Sequence, residues 1–280
     1  MFLIDVKSVY KGDILARENE SIYTNAEYVV NNIYWLKRQF ESTYGKTVIY
    51  FSDEKINNYR TSIIPYIDRK SEAQVIKDNY ALNTFREIYK IFKRNREHTL
   101  FVKNTQCTDI INFIKNERES NFNLIYSKAI SVLFMIENDT YLYNNDEILN
   151  QDEIAVPNLR ELTIKGCDSL GIYNIGAYIE PSDLFSNWCK EKQISDDIYY
   201  YYKNDVKTIE LFFEEMKEKG AKRVTAYKAK TKLVNEFLTG DELVLFKKYP
   251  ILQKRYQENE AFLNFDNVPA QILQKIAISL

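Results

Sequence analysis

Two short runs constrain the fold of this 280-residue chain more than anything else in it: Phe2-Leu3-Ile4-Asp5-Val6 and Thr47-Val-Ile-Tyr-Phe51. Both are apolar without alternation. Each is closed by an aspartate, Asp5 at the end of the first and Asp53 just past the second. Unbroken apolar runs of this length suit strands covered on both faces. Between them, Thr24-Asn-Ala-Glu27 has the spacing of a capping box. It predicts a helix whose Val29, Ile33, Leu36, Phe40 and Tyr44 recur at three and four, and Gly45 ends it. The alternation continues with a basic amphipathic helix from about Ser71 to Arg96 and a strand at Thr99–Val102. A helix at Asp109–Arg118 and a strand at Asn123–Tyr126 follow. The rhythm predicts an α/β fold, a mostly parallel central sheet flanked by helices. Ligands of such sheets bind beyond the carboxyl ends of the strands, where Asp5 and Asp53 fall. The plainer role for both aspartates is to cap the helices that follow.

After Pro157 the pattern changes to helices and loops, which divides the chain into an α/β core at 1–157 and a helical C-terminal region at 158–280. Only seven glycines occur, and three of them, Gly166, Gly171 and Gly176, are evenly spaced in this second part. In so glycine-poor a chain the spacing points to backbone that needs positive φ or approaches a phosphate closely, with helix C-caps as the alternative. The stretch from Lys217 to Lys232 carries Lys217, Lys219, Lys222, Arg223, Lys228, Lys230 and Lys232 against the single acid Glu218. It is either a phosphate-facing cluster or a solvated face. Net charge is −2, so the chain is no globally basic nucleic-acid coat, and any grip on phosphate is local. Three cysteines without CxxC spacing and one histidine, His98, exclude a zinc module and a disulfide scaffold, and they predict a cytoplasmic setting. No apolar run approaches the ~18 residues of a membrane span, and no basic leader precedes the first strand. The run Tyr199–Tyr202 would spread around all faces of a helix and makes no single stacking platform.

A further set of residues lies in one collinear order. Asp53 is followed by Tyr59-Arg60, Pro65-Tyr66 and Arg69-Lys70, then by Gln106-Cys107-Thr108-Asp109-Ile110-Ile111. Ser127 through Phe134 and Lys165-Gly166-Cys167-Asp168-Ser169-Leu170-Gly171-Ile172 come next. The C-terminal segment runs from Tyr256-Gln-Glu-Asn259 through Phe265-Asp-Asn-Val-Pro269. Taken together this resembles the 5′-nuclease superfamily of flap endonucleases and phage 5′→3′ exonucleases, and most of all the T-even phage ribonuclease H group. The resemblance implies a PIN-like core, a helix-turn-helix-like element in the C-terminal region, and a site for two divalent ions. Such ions stabilise the attacking and leaving oxygens of a phosphodiester in line.

The departures from the family's pattern bear on chemistry. Asp5, Asp53 and Asp109 remain as remnants of the metal ligands and would hold an ion weakly. Gln106 and Thr108 stand where the family has a glutamate and an aspartate, and Lys128 and Ile130 stand where it has two acids. Cys167 and Leu170 replace the acids of the glycine loop, Asp168 is displaced by one residue, and Ile67 occupies the place of a catalytic lysine. From Asn121 to Ile136 no acid occurs at all. The expectation is a pseudo-nuclease that needs no cofactor, with Lys128 either neutralising Asp5 and Asp53 by salt bridge or standing as a solvated loop residue. Its partners would be branched or 5′-ended DNA and a protein of a phage replication or transcription complex, in the host cytoplasm and without a membrane. Nucleic acid would be held by Arg60, Arg69 and Lys70, and by Arg86, Lys90, Lys93 and Arg94 on the long helix lining a threading arch. Gly166, Gly171, Lys222, Arg223 and Lys228 would complete the grip. Two alternatives stay open: a weak Mg²⁺- or Mn²⁺-dependent 5′→3′ nuclease, flap endonuclease or RNase H, and a protein-interaction module that does not bind DNA.

Overall fold

The computed structural model describes residues 1–51, 72–102, 105–117, 123–167, 178–194, 206–222, 226–230 and 234–279, together with 170, 172, 174, 175 and 224. These form two compact units, one of residues 1–51, 72–156 and 265–279, the other of 157–264.

The first unit is built on six strands, β1 (Phe2–Asp5), β2 (Thr47–Tyr50), β3 (Thr99–Leu100), β4 (Asn123–Tyr126), β5 (Thr140–Asn144) and β6 (Glu147–Leu149). Their order is β3-β2-β1-β4-β5-β6, parallel throughout except for the β5–β6 hairpin. Leu3 sits opposite Val48 on one side and Ile125 on the other, so β1 lies inside the sheet with all four residues buried. This burial explains why the strand sequences do not alternate. Strands β2 and β3 extend from β1 in one direction, β4 and β5 in the other. The order therefore reverses between β1 and β4, whose carboxyl ends lie side by side at the position where ligands of open α/β sheets bind.

Four helices of this unit follow the strands: α1 (Val6–Ala16), α2 (Ile22–Tyr44), α3 (Glu72–Arg94) and α4 (Cys107–Glu117). The chain's last helix, α11 (Ala270–Ser279), also belongs here and packs against α4, although by sequence it falls in the C-terminal region. Helices α2 and α3 pack on each other, and Val29, Ile33, Phe40, Phe85, Ile88 and Phe92 join Phe2 and Ile4 in one core cluster. Each such side chain contributes roughly 1.5–3 kcal/mol by leaving water.

Several boundaries differ from the sequence reading, each for a local reason. Strand β1 stops at Asp5, and Val6 begins α1, a helix the apolar pattern around Gly12 did not reveal. Helix α2 starts before the Thr24–Glu27 box, because Ser21 is the N-cap and accepts the Thr24 N–H at 3.1 Å. It ends as expected at Gly45, whose φ of 77° is open to glycine. Helix α4 begins at Cys107, two residues ahead of Asp109. The β5–β6 turn uses Asn145 and Asp146, both at positive φ (47° and 65°), in the left-handed pairing that two-residue hairpins require.

The second unit holds α5 (Leu159–Lys165), β7 (Tyr178–Pro181), α6 (Asp183–Glu191), α7 (Val206–Glu218) and β8 (Tyr227–Lys230), then α8 (Val234–Thr239), α9 (Glu242–Lys248) and α10 (Pro250–Leu263). It is mainly helical, as the sequence predicts, with an added antiparallel β7–β8 ribbon. One apolar cluster gathers Phe185, Trp188, Phe212 and Met216, and another gathers Ile164, Ile175, Phe237, Leu245 and Leu252. Among the described residues no helix is long and apolar enough to cross a membrane.

Candidate functional site

At the carboxyl end of β1, beside the end of β4, stands Asp5, which is 1% exposed. Asp5 closes its strand and caps α1 at once: Oδ1 accepts the Ser8 N–H at 3.4 Å. Its Oδ2 accepts the hydroxyl of Ser127, just past β4, at 3.2 Å. The Ser8 and Ser127 hydroxyls lie 2.9 Å apart. The N–H groups of Lys128 and Ala129 donate to Ser8 Oγ at 3.1 Å and Ser127 Oγ at 3.2 Å. A ring of hydroxyls thus ties the first turn of α1 to the turn after β4.

On the other side of β1, Tyr50 ends β2 fully buried with its hydroxyl 2.8 Å from Thr105 Oγ1, which in turn donates to the Val102 carbonyl at 2.6 Å. Burial pushes the Tyr50 hydroxyl well above its ordinary range, and the Asp5 carboxylate adds to the shift. Helix α4 brings in Cys107 and Asp109, both buried. Asp109 Oδ2 accepts the Gln106 N–H at 2.8 Å, so this carboxylate also serves the start of its own helix. Burial drives the Cys107 thiol well up, the charges of Asp5 and Asp109 raise it further, and a hydrogen bond with Ser127 opposes them. Both carboxylates thus favour the protonated form of the thiol. Thr108 is fully buried, and among the described residues its hydroxyl has no hydrogen-bond partner.

Of the residues singled out by sequence, Asp5 and Asp109 are both buried and both act on the Cys107 thiol; Asp53, Arg60, Arg69 and Lys70 lie outside the described residues. Lys128 is exposed, which suits its reading as a solvated loop residue, and among the described residues no ion pair is seen between it and Asp5; its backbone N–H donates to Ser8 Oγ. Ile130 opens a short 3₁₀ segment, Ile130–Met135, and is half-buried. Sequence reasoning missed Ser8, Tyr50, Thr105 and the role of Ser127. The clue available was a serine three residues past a helix-capping aspartate, followed by a second serine directly after β4.

Donor chemistry decides whether these residues suit a pair of divalent ions. Mg²⁺ and Mn²⁺ favour several carboxylate oxygens with ordered water. Among the described residues no three of His, Cys, Asp and Glu gather at one point. Around Asp5 and Asp109 stand neutral hydroxyls, a protonated thiol and the Gln106 backbone, and both Asp5 oxygens already accept hydrogen bonds. Among the described residues this set does not fit a two-ion centre.

The basic residues of α3 lie opposite its core face. Phe85, Ile88 and Phe92 point into the core, while Arg86, Lys90, Lys93 and Arg94 are exposed. Spacings of three and four put Arg86, Lys90 and Lys93 on one stripe. Lys90 pairs with Glu87 at 2.6 Å, Arg86 donates to Asn83 at 3.2 Å, and the Lys93 ammonium lies 5.6 Å from the Tyr89 ring centre. Because α3 packs along α2, it forms a wall of the core.

In the second unit, Gly166 has φ 74° because it ends α5, donating its N–H to the Leu162 carbonyl. The helix-cap alternative thus accounts for its conformation. Cys167 pairs through its backbone with Ile172, and Leu170 is buried. Lys222 is exposed, whereas Lys219 is engaged by Glu215 at 2.8 Å. Lys228 lies in β8; Gly171, Gly176, Arg223 and Tyr199–Tyr202 lie outside the described residues.

No protein-family model matches the chain, and no characterised protein matches it by sequence. Solved structures do match. A bacteriophage T5 protein co-crystallised with metal ions is similar over 94% of this chain and 99% of its own, with 10% identity and a TM-score of 0.50. The bacteriophage T5 flap endonuclease in a pseudo-enzyme–product complex with DNA and metal ions gives 12% identity, coverage of 94% and 98%, and a TM-score of 0.49. The T5 5′-exonuclease with zinc bound gives 10% identity, coverage of 99% and 97%, and a TM-score of 0.49. At such identities the first of these speaks for architecture and not for chemistry. Together with the strand order, it shows that this chain shares the fold of that bacteriophage T5 protein.

Proposed function

We propose that the protein is a 5′-nuclease homologue that has given up two-ion cleavage and binds branched or 5′-ended DNA, serving a phage replication or transcription apparatus as a nucleic-acid-binding or scaffold protein. The hydroxyl ring that closes Asp5 against Ser8 and Ser127 carries this reading. It satisfies the carboxylate with neutral donors where the family's chemistry needs more acids, and the buried Thr108 and Cys107 extend the same substitution along α4. No cofactor is required in this account. Phosphate contact falls to exposed cations, Arg86, Lys90, Lys93 and Arg94 on α3 and Lys222 in the second unit, with Arg60, Arg69, Lys70, Arg223 and Lys228 as further candidates. The phage setting rests on the sequence resemblance.

Fluorescence anisotropy with a labelled 5′-flap DNA tests the binding part. Affinity is expected to fall by about tenfold or more between roughly 50 and 200 mM salt. Reversing Arg86 and Lys90 to glutamate should flatten that slope across unrelated sequences. Binding that ignores both salt and charge reversal contradicts the proposal and favours a protein-interaction module.

A further inference from the structure

Helix α2 is held on one side by the core and presents an ordered stripe on the other. Val29, Ile33, Leu36 and Phe40 are buried. Opposite them, Thr24, Tyr28, Asn31, Trp35 and Arg38 recur at three and four and are exposed, so they share one face. Two large aromatics stand on this face, Tyr28 at 37% and Trp35 at 52% exposure, whereas the chain's other tryptophan, Trp188, is buried. The Arg17 guanidinium lies 4.0 Å from the centre of the Tyr28 ring and braces it. Exposed Trp, Tyr and Arg on a rigid helix are the composition of an interface core.

The charges on this face have an order of their own. Glu27 and Arg38 are eleven residues apart, which at 100° per residue puts them about 20° apart around the helix and about 16 Å apart along it. Both are exposed, and among the described residues neither makes an ion pair; the neighbouring Lys37 serves Glu41 and Glu97 instead. A two-fold axis crossing α2 midway between them, near Asn32 and Ile33, would set a second α2 antiparallel on the first. Such an axis maps each edge of the helix onto the same edge of its mate. Glu27 then meets the partner's Arg38, and Arg38 meets the partner's Glu27. The same operation leaves Tyr28 only about 3 Å, or two residues, out of step with the partner's Trp35, so each aromatic pair packs across the axis. The stripe carries one acid and one base, which suits its own copy and offers no excess charge to a nucleic acid.

We propose that the outer face of α2 is a self-complementary interface that pairs two copies of this chain antiparallel, with Trp35 as its anchor and Glu27–Arg38 contacts fixing the register. One helix pair buries little area for a stable interface, so a dissociation constant on the order of micromolar is expected. Sedimentation velocity of the full chain from roughly 1 to 100 µM should show a monomer passing to a dimer. Arg38→Glu and Glu27→Arg should each leave a monomer over this range, and the double swap should restore dimerisation. Trp35→Ala should weaken it at least tenfold, and tryptophan emission should move to the red on dilution as Trp35 returns to water. A monomer at every concentration overturns the proposal, as does assembly that needs DNA or a double swap that fails to restore pairing.

Discussion

The central sheet has an interior and an end, and they have been shaped by different demands. Inside, Phe2, Ile4, Ile49 and Leu124 are held by the α2–α3 wall with Phe40, Phe85 and Phe92, an all-apolar packing that specifies the fold and nothing about chemistry. At the carboxyl ends of the same strands, Asp5 and Asp109 remain among Ser8, Ser127, Cys107, Thr108 and Tyr50. The interior answers only to shape and water exclusion, so many apolar sequences satisfy it. The end of the sheet answers to charge: two buried carboxylates must be satisfied by ions or by hydrogen-bond donors, and here donors are in place. On the proposed reading the scaffold outlasts the chemistry, because the two are secured by different side chains.

The comparison can be broken hardest from the interior. Phe92 is fully buried and meets the Tyr34 ring edge-on with centroids 5.6 Å apart. Phe92→Ala should cost about 3–5 kcal/mol in urea unfolding, through lost transfer energy and the cavity left behind. A loss below about 1 kcal/mol would mean that α3 is not part of the core.

The end of the sheet should lose stability when a further negative charge is added. Thr108→Asp would place a third carboxylate near Asp5 and Asp109 without a donor, and should destabilise the protein by on the order of 3 kcal/mol without added metal. Mn²⁺ should return part of that stability in the variant and leave the wild-type melting temperature unchanged. A wild-type protein strongly stabilised by Mn²⁺ would show that the site still fits an ion.

A smaller effect is expected from Ser127→Ala, which leaves Asp5 Oδ2 without its hydroxyl donor. The loss should be about 1–3 kcal/mol, seen as a lower midpoint in denaturant at unchanged slope.

The legible part of the fold was the part governed by local periodicity. The apolar runs at β1, β2 and β4 and the three–four spacing of Val29, Ile33, Leu36 and Phe40 were readable because burial leaves a direct trace in residue type. Helix α1 was hidden because Asp5 ends a strand and caps a helix with no residue between, so the two patterns run together. The hairpin β5–β6 was hidden because Asn145-Asp146 replaces the more telling Asn-Gly. The return of α11 to α4 joins residues far apart in sequence and has no local signature, and the same holds for β7 with β8. At the site, Asp5 and Asp109 could be picked out by their place after a strand and at a helix start. The Ser8–Ser127 contact could not, since it spans 119 positions and exists only through the parallel pairing of β1 with β4. Lys128 left two readings open, a partner of Asp5 or a solvated residue, because its position in sequence says nothing of where its side chain goes.

The smallest predicted effect lies in the second unit and sharpens the contrast between buried and surface electrostatics. Glu215 accepts from Lys219 and the Trp188 indole and pairs with Lys192, and these contacts hold its carboxyl down to about 2. A folded pKa below the ordinary 4.5 gives stability that is present above that value and is lost as pH falls toward 2. Wild-type protein should thus lose stability through this window by a component that Glu215→Gln lacks. The carboxylate is partly open to solvent, so the difference should be modest and should shrink in high salt.

The most direct test of the central claim is a cleavage assay with an end-labelled 5′-flap DNA, stoichiometric protein, and Mg²⁺ or Mn²⁺, run beside Asp5→Ala. The account predicts an intact label in every lane, with wild-type protein and variant alike. Metal-dependent shortening that disappears with Asp5→Ala would contradict it and show that Asp5, with Asp53 and Asp109, still makes a working site.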